Sequence, residues 1–310
     1  MMISSRISLN IWRQFAWVLY VITIIFLCIP LIFGIVTRGA RGWIPIGPFN
    51  LQPSQFAQPI CLLLASFFIS TRNLKTWRNF VILLGIIALP LALIFIEPDF
   101  GTFVVLAGAL GALIFFSDIP LPRLGLLGIA MSVLLILTWQ FLLQPYQKQR
   151  ITGFFSTSGE QSYNAEQSLI AVGSGQLLGR GLGHGVQSQL RFLPERQTDF
   201  IFASLAEETG FIGSSLVLGL YFFLLSYLTF TALKFTPRSP QQLLFLGAVT
   251  LLFIQIFINV GMNSSIMPIT GITLPFISYG GSSLLSFAFL LGLLQHCIVK
   301  YSQSPLRSIR

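Results

Sequence analysis

Apolar residues arrive in this chain as unbroken runs of about 16 to 24 positions, separated by short polar breaks. A helix rising about 1.5 Å per residue needs roughly 20 such residues to cross a hydrocarbon core of about 30 Å. The pattern therefore predicts eight transmembrane spans, near residues 15–36, 56–70, 79–96, 102–117, 124–143, 200–233, 242–262 and 283–300. Continuous runs, with no two-residue alternation, exclude a barrel of the outer-membrane type. The second span is short and opens on polar Gln55 and Gln58, so it is expected to begin as a broken or buried element. The sixth is too long for one crossing, so residues 200–210 are expected to emerge from the membrane. The predicted fold is an all-α polytopic membrane protein, with residues 1–310 forming a single membrane domain.

Composition strengthens this picture. The chain has 310 residues, 54% hydrophobic and only 9% charged, against roughly 25% charged in soluble domains. Basic residues give the orientation. With a cytoplasmic N-terminus, Arg6, Arg13, Arg72, Lys75, Arg78, Arg123, Lys234, Arg238, Lys300, Arg307 and Arg310 lie inside, opposed only by Asp118. The other basic residues face outward together with all the remaining acids, so the positive-inside rule places both termini in the cytoplasm. The net charge of +9 is then mostly topological, and no basic stripe interleaved with aromatics points to nucleic acid. Cys28, Cys61 and Cys297 sit in apolar spans as small core residues, without metal or disulfide spacing. The first span starts close enough to a polar N-terminus to be compatible with an uncleaved signal-anchor, and no small-residue cleavage site follows it, since Cys28-Ile-Pro-Leu-Ile-Phe33 stays apolar. His184 and His296 have no partner at ligand spacing.

All elaboration lies on the outward side, and no internal repeat of the transporter kind is visible. The outward segments are 38–55, the turn Glu97-Pro-Asp99-Phe-Gly-Thr102, and a long polar loop at 144–199. A fourth, 268–283, is rich in Gly and Pro yet apolar, which suits a non-helical segment buried in protein at membrane depth.

Asp199 stands where the polar loop re-enters the apolar region. A carboxylate there is desolvated enough to act as a base yet can still meet a polar substrate. The alternative is a helix cap, with Thr198 or Asp199 ahead of Phe200-Ile-Phe. Arg150, Arg180, Arg191 and Arg196 share the loop; their forked donors suit diphosphate oxygens, or equally lipid headgroups. Glu195, Glu207 and Glu208 are available to pair with them. Glu97 and Asp99 flank Pro98 as a carboxylate pair suited to a cation or to acid/base work, although Pro-Asp-x-Gly is also ordinary turn chemistry. The glycines from Gly173 to Gly183 could expose N–H groups to phosphate, but without a preceding strand they are no P-loop.

Gln52-Pro-Ser54, Pro98-Asp-x-Gly-Thr102, Tyr146-Gln-x-x-Arg150, Gln167 to Gly175, Gly185 to Ala203, Glu207-Glu208, Asn259-x-Gly-Met262 and Leu274-Pro-x-x-Ser-Tyr-Gly-Gly-Ser282 follow one another across nearly the whole chain. Together these stretches resemble the shape, elongation, division and sporulation family, whose members are the RodA and FtsW peptidoglycan glycosyltransferases. The wording Gln187-Ser-Gln189-Leu-x-Phe-Leu-Pro-Glu195-Arg196 is more like the RodA branch.

The resemblance implies an inverting glycosyltransferase that polymerises lipid II on the outer face of the bacterial plasma membrane, working with a class B penicillin-binding transpeptidase. It places the essential carboxylate at Asp199 and implies substrate or diphosphate contacts from Arg196, Arg150, Arg191, Glu195, Gln187, Gln189, Tyr146 and Gln167. It marks Glu97, Asp99, Gln55, Gln58, Ser278, Tyr279, Gly280 and Gly281 as structural or cavity residues, and it allows a divalent cation, Mg or Mn, near the carboxylate. The chain departs from the family pattern by lacking the first two of ten spans. It also has Gln55 and Gln58 where the family has Glu and Lys, Gln197 in place of His, and Gly42 in place of Arg. Two other functions compete: a lipid II flippase, and a non-catalytic scaffold for the transpeptidase.

Overall fold

The computed structural model describes residues 1–33, 35–37, 40–47, 49–142, 148, 160–189, 192–193 and 195–302. Helices occupy every predicted span: α1 (Met2–Arg6), α2 (Leu9–Phe33), α3 (Pro53–Thr71), α4 (Trp77–Ile96), α5 (Phe100–Phe115) and α6 (Leu121–Leu137). After these come α7 (Glu160–Ser174), α8 (Val186–Gln189), α9 (Ile201–Ala232), α10 (Pro240–Asn263) and α11 (Gly281–Ser302). Among the described residues, six helices are long and apolar enough to cross a membrane, and α5 and α6 are shorter apolar helices. Large apolar side chains stand exposed along them, among them Leu121, Phe222, Phe223 and Phe230. A helix surface of that kind needs lipid around it.

The chain divides into two compact units, each assembled from distant stretches of sequence: Met1–Asp118 with Leu225–Ile254 and Gly280–Arg310, and Ile119–Leu224 with Gln255–Tyr279. In the first unit α3 is the central helix, packed by α2, α4, α5 and α11 and buried along nearly its whole length. Of the two starts that its polar opening left open, broken or buried, the structure shows the buried one, with Gln55 and Gln58 enclosed in a continuous helix. Pro53 occupies the first helical position, where the missing N–H costs nothing, and the turns around it are held from α11. There Ser282 Oγ accepts from the Gln52 amide (3.0 Å) and Ser286 Oγ donates to the Gln55 carbonyl (2.6 Å).

The same unit carries a small antiparallel sheet that the apolar runs do not announce. Strands β1 (Ile35–Thr37), β2 (Ala40–Ile46) and β3 (Phe49–Leu51) lie in the order β1-β2-β3, with Ile44 opposite Leu51 and Ile46 opposite Phe49. Strands of three to seven residues interrupted by Gly and Pro carry too little alternation to be read from pattern.

In the second unit α6 runs on as a π-helix through Thr138–Leu142, and the polar loop contains the 15-residue helix α7. The long α9 is interrupted at Gly210, whose φ of 67° and ψ of −164° lie in a region open essentially to glycine alone. A strap of backbone from 176 to 181 fills the gap. The Glu207 and Glu208 carbonyls accept from the amides of Arg180 (3.0 Å) and Gly181 (3.1 Å), while Phe211 and Ile212 donate to the carbonyls of Gln176 (2.8 Å) and Leu177 (3.1 Å). The break leaves residues 211–232 as a helix of bilayer length, with 201–209 set apart from it, in the region where the excess length of the sixth run was noted.

A Cβ on residue 210 would lie 2.3 Å from the Gly179 amide nitrogen, so neither torsion nor space admits a side chain. Gly210→Ala is expected to destabilise the protein by at least about 2 kcal/mol, read as a fall of several degrees in thermal midpoint. Gly219→Ala, where nothing lies within 4 Å of the added carbon, should be neutral or slightly stabilising.

Candidate active site

Asp199 lies in a turn just ahead of α9, with 9% of its surface exposed. The turn closes on one carbonyl. Glu195, itself in the left-handed region at φ 55°, accepts from the amides of Thr198 (3.1 Å), Asp199 (3.1 Å) and Phe200 (3.3 Å). The Thr198 hydroxyl donates to the Glu195 carboxylate (3.2 Å). Beneath the turn, Phe200 and Ala203 pack with Ala171 and Leu193 in a small core bordered by Val172 and Ile269. One side of the turn is therefore fixed by apolar packing and the other by polar contacts.

The polar contacts come chiefly from two asparagines of α10 that are fully buried. Asn259 Nδ2 donates to the Asp199 carbonyl (3.1 Å) and the Ile272 carbonyl (2.6 Å). Asn263 Nδ2 donates to the Asp199 carbonyl (2.9 Å), and its Oδ1 accepts from the Ala203 amide (3.1 Å). Ala203 is the third residue of α9, so at this amide the side-chain acceptor is Asn263, and not Thr198 or Asp199 as expected of a cap. One turn earlier, buried Gln255 donates to the Thr273 carbonyl (3.2 Å). Gln255, Asn259 and Asn263 thus form a polar stripe at i, i+4 and i+8 on one face of an apolar helix.

The stripe holds the segment 264–279, which is non-helical as expected. This segment in turn grips the Asp199 turn. Ser278 Oγ donates to the Thr198 carbonyl (2.7 Å) while accepting from the Leu274 amide (2.7 Å), and the Tyr279 amide donates to the Gln197 carbonyl (2.8 Å). The Tyr221 hydroxyl is hydrogen-bonded to the Pro275 carbonyl (2.5 Å). Gly271, at φ 73°, lies against the carboxylate itself, since a Cβ there would be 3.4 Å from Asp199 Oδ2. The carboxylate is thus carried on a backbone tied down at Glu195, Thr198 and Asp199.

The structure gathers Glu195, Arg196, Asp199, Ser278 and Tyr279 around one turn. Arg196 is half-buried, and its carbonyl accepts from Ser204 Oγ (3.3 Å); the Tyr279 side chain is 77% exposed. Gln187 and Gln189 lie on α8, where the Gln187 amide donates to the fully buried Glu207 (2.8 Å) and Gln189 is exposed. Gln167 is half-buried on α7. Arg180 Nε donates to the Ser174 carbonyl (3.3 Å), which ties its side chain to the end of α7. Tyr146, Arg150 and Arg191 lie outside the described residues.

The remaining candidates belong to the first unit. Asp99 accepts from the Thr102 amide (3.1 Å) at the start of α5, from Gln52 Nε2 (2.8 Å) and from Ser54 Oγ (2.9 Å), so it fastens the start of α3 to the start of α5. Gly280 and Gly281 lead into α11; the Gly280 carbonyl accepts from Ser283 Oγ (3.0 Å) and from the Leu284 amide (3.0 Å). Glu97, the residue that ends α4, is fully buried, and neither carboxylate oxygen has a hydrogen-bond partner among the described residues. Burial, with a smaller contribution from the charge of Asp99, pushes its pKa up to about 8. The amide oxygens of Gln55 and Gln58, on the buried face of α3, likewise lack a donor among the described residues.

Known proteins match this architecture closely. The family model for FtsW, RodA and SpoVE, described as cell cycle protein, matches residues 1–303. The peptidoglycan glycosyltransferase MrdB of Escherichia coli K12 is 35% identical over 290 residues, covering 92% of this chain and 78% of that protein. A solved peptidoglycan synthase complex, described as coordinating polymerization and crosslinking, contains a chain that aligns with a TM-score of 0.80 at 27% identity. The alignment covers 98% of this chain and 86% of that one. The rod shape determining protein RodA of Thermus thermophilus aligns with a TM-score of 0.71 at 26% identity, over 98% and 84% of the two chains. With its helices long enough to cross a bilayer and its match to the family over residues 1–303, the chain is a multi-pass membrane protein and belongs to the FtsW, RodA and SpoVE family.

Proposed function

We propose that this chain is a peptidoglycan glycosyltransferase that polymerises lipid II at the outer face of the bacterial plasma membrane and serves cell shape. The observation that carries the reading is the buried carboxylate of Asp199, on a backbone held by Asn259, Asn263 and Ser278, in a chain similar to a named peptidoglycan glycosyltransferase. A base fixed in this way needs little reorganisation when the reacting hydroxyl arrives.

In the proposed reaction Asp199 takes the proton of the 4-hydroxyl of the acceptor sugar. The freed oxygen attacks the anomeric carbon of the growing strand as the bond from that carbon to diphosphate oxygen breaks, and undecaprenyl diphosphate leaves with the bonding electrons. A single displacement inverts the anomeric centre, as in inverting glycosidases with the sugar hydroxyl in place of water. The guanidinium of Arg196, three residues from the base, is suited to meet the negative charge on the leaving diphosphate. Among the described residues no three His, Cys, Asp or Glu side chains converge, so at most two such side chains would hold Mg or Mn at Asp199. A divalent ion fits this site only as one carried largely by the substrate's phosphate oxygens.

Both termini are assigned to the cytoplasm, and a class B penicillin-binding transpeptidase is the partner expected to crosslink the product. The ion pair between Arg238 and Asp118 supports placing these two connections on one face of the membrane, as the assignment does.

Asp199→Asn should lower glycan polymerisation from lipid II by about 10² to 10⁴-fold, the usual contribution of a positioned base, with an unchanged thermal midpoint. Undiminished polymer from the purified variant would remove the base assignment, and growth rescue by it would favour a scaffold. Asn259→Leu leaves the Asp199 carbonyl with one donor fewer and the Ile272 carbonyl without its Asn259 bond. It is expected to destabilise by about 1 to 3 kcal/mol and to lower kcat with little change in KM, because it disturbs how the base is held and not the sugar contacts.

A further inference from the structure

Among the described residues of the first unit, four buried carboxylate and amide oxygens accept no hydrogen bond, and none belongs to the proposed reaction. They are Oε1 and Oε2 of Glu97 and the amide oxygens of Gln55 and Gln58, on side chains 0%, 7% and 1% exposed. Buried acceptors are almost always paired, so such a group signals something that donates or coordinates. Gln55 and Gln58 stand one turn apart on α3, which packs against both α4 and α5. Gln55 Nε2 reaches Gln52 Oε1 (3.5 Å) and Gln52 Nε2 reaches Asp99 Oδ2 (2.8 Å), which links the stripe to the Glu97-Pro-Asp99 turn. All four of these atoms are oxygens.

We propose that Glu97, with the amide oxygens of Gln55 and Gln58, forms a binding site for a hard metal cation. Oxygen-only donors of carboxylate and amide type are the ligands such ions take, with water completing the shell, while nitrogen and sulfur ligands of softer metals are missing from the set. A proton on Glu97 would engage one or two of the four atoms, whereas a cation draws on several at once. Glu97 also lies against the backbone of β2. A Cβ built on Gly42 of β2 would lie 3.5 Å from Glu97 Oε2, and this is the position where the family pattern carries arginine. Glycine there removes a built-in positive charge and leaves the carboxylate facing the space where that charge would stand. The site uses no residue of the proposed reaction and does not rest on the polymerase reading.

The test uses the full chain in lipid nanodiscs, stripped with chelator in choline chloride and then titrated separately with Na⁺, Mg²⁺ and Ca²⁺ while the thermal midpoint is followed. Mn²⁺ binding is counted in parallel from loss of its free resonance signal. At least one cation is expected to raise the midpoint saturably by several degrees. Glu97→Gln should weaken the response at least tenfold, and Gly42→Arg should abolish it while raising the cation-free midpoint. Asp199→Asn should keep the response, which separates this site from the proposed catalytic one. No saturable response to any of the three ions, or an equal response in Glu97→Gln, would overturn the site. Should Glu97→Gln fail to fold, the comparison passes to Gly42→Arg, and an undiminished response there is equally fatal.

Discussion

A polypeptide in hydrocarbon must satisfy its own backbone, because no water is available to do so. Helices meet this demand internally, but the Asp199 turn and the segment 264–279 are not helical. Their carbonyls and amides have to be met by side chains, and Gln255, Asn259, Asn263 and Ser278 do so. Each such bond adds only about 1 kcal/mol net, while an unmet buried group costs about 1 to 3. The arrangement is therefore kept less by what it gains than by what its loss would expose. The same bonds that make irregular backbone tolerable also hold the carboxylate in place.

That arrangement explains which parts of the molecule can be read from the chain. The spans are legible because hydropathy over some twenty residues is an additive signal that local detail does not erase. Asp199 is legible because it stands at a sharp boundary between polar and apolar stretches. The excess length of the sixth run is legible as well, and its physical cause is the break at Gly210. The three short strands are not, since Gly42, Pro45 and Gly47 blur a pattern already only a few residues long. The start of α3 is only half legible: polar Gln55 and Gln58 leave a broken and a buried element both open until the helices packed around α3 are known.

The asparagine stripe lies between these cases. A spacing of four between Gln255, Asn259 and Asn263 in an otherwise apolar run is visible in the residues alone. Three polar side chains on one face of a buried helix mean that something polar lies opposite. What they cannot disclose is the partner, because the carbonyl of Asp199 is some sixty residues away in the chain and only the fold brings it near. Asp99 illustrates the same limit. Its turn chemistry is local, but its bonds to Gln52 and Ser54 are not.

The strap that fills the gap at Gly210 has an evolutionary corollary. Gly179 and Gly210 approach so closely that each occupies the volume a methyl group on the other would need. Two such positions cannot drift by turns, since a side chain gained at one finds no compensating cavity at the other. They are constrained together, and grafts that exchange the 175–181 stretch between relatives must keep glycine at both positions.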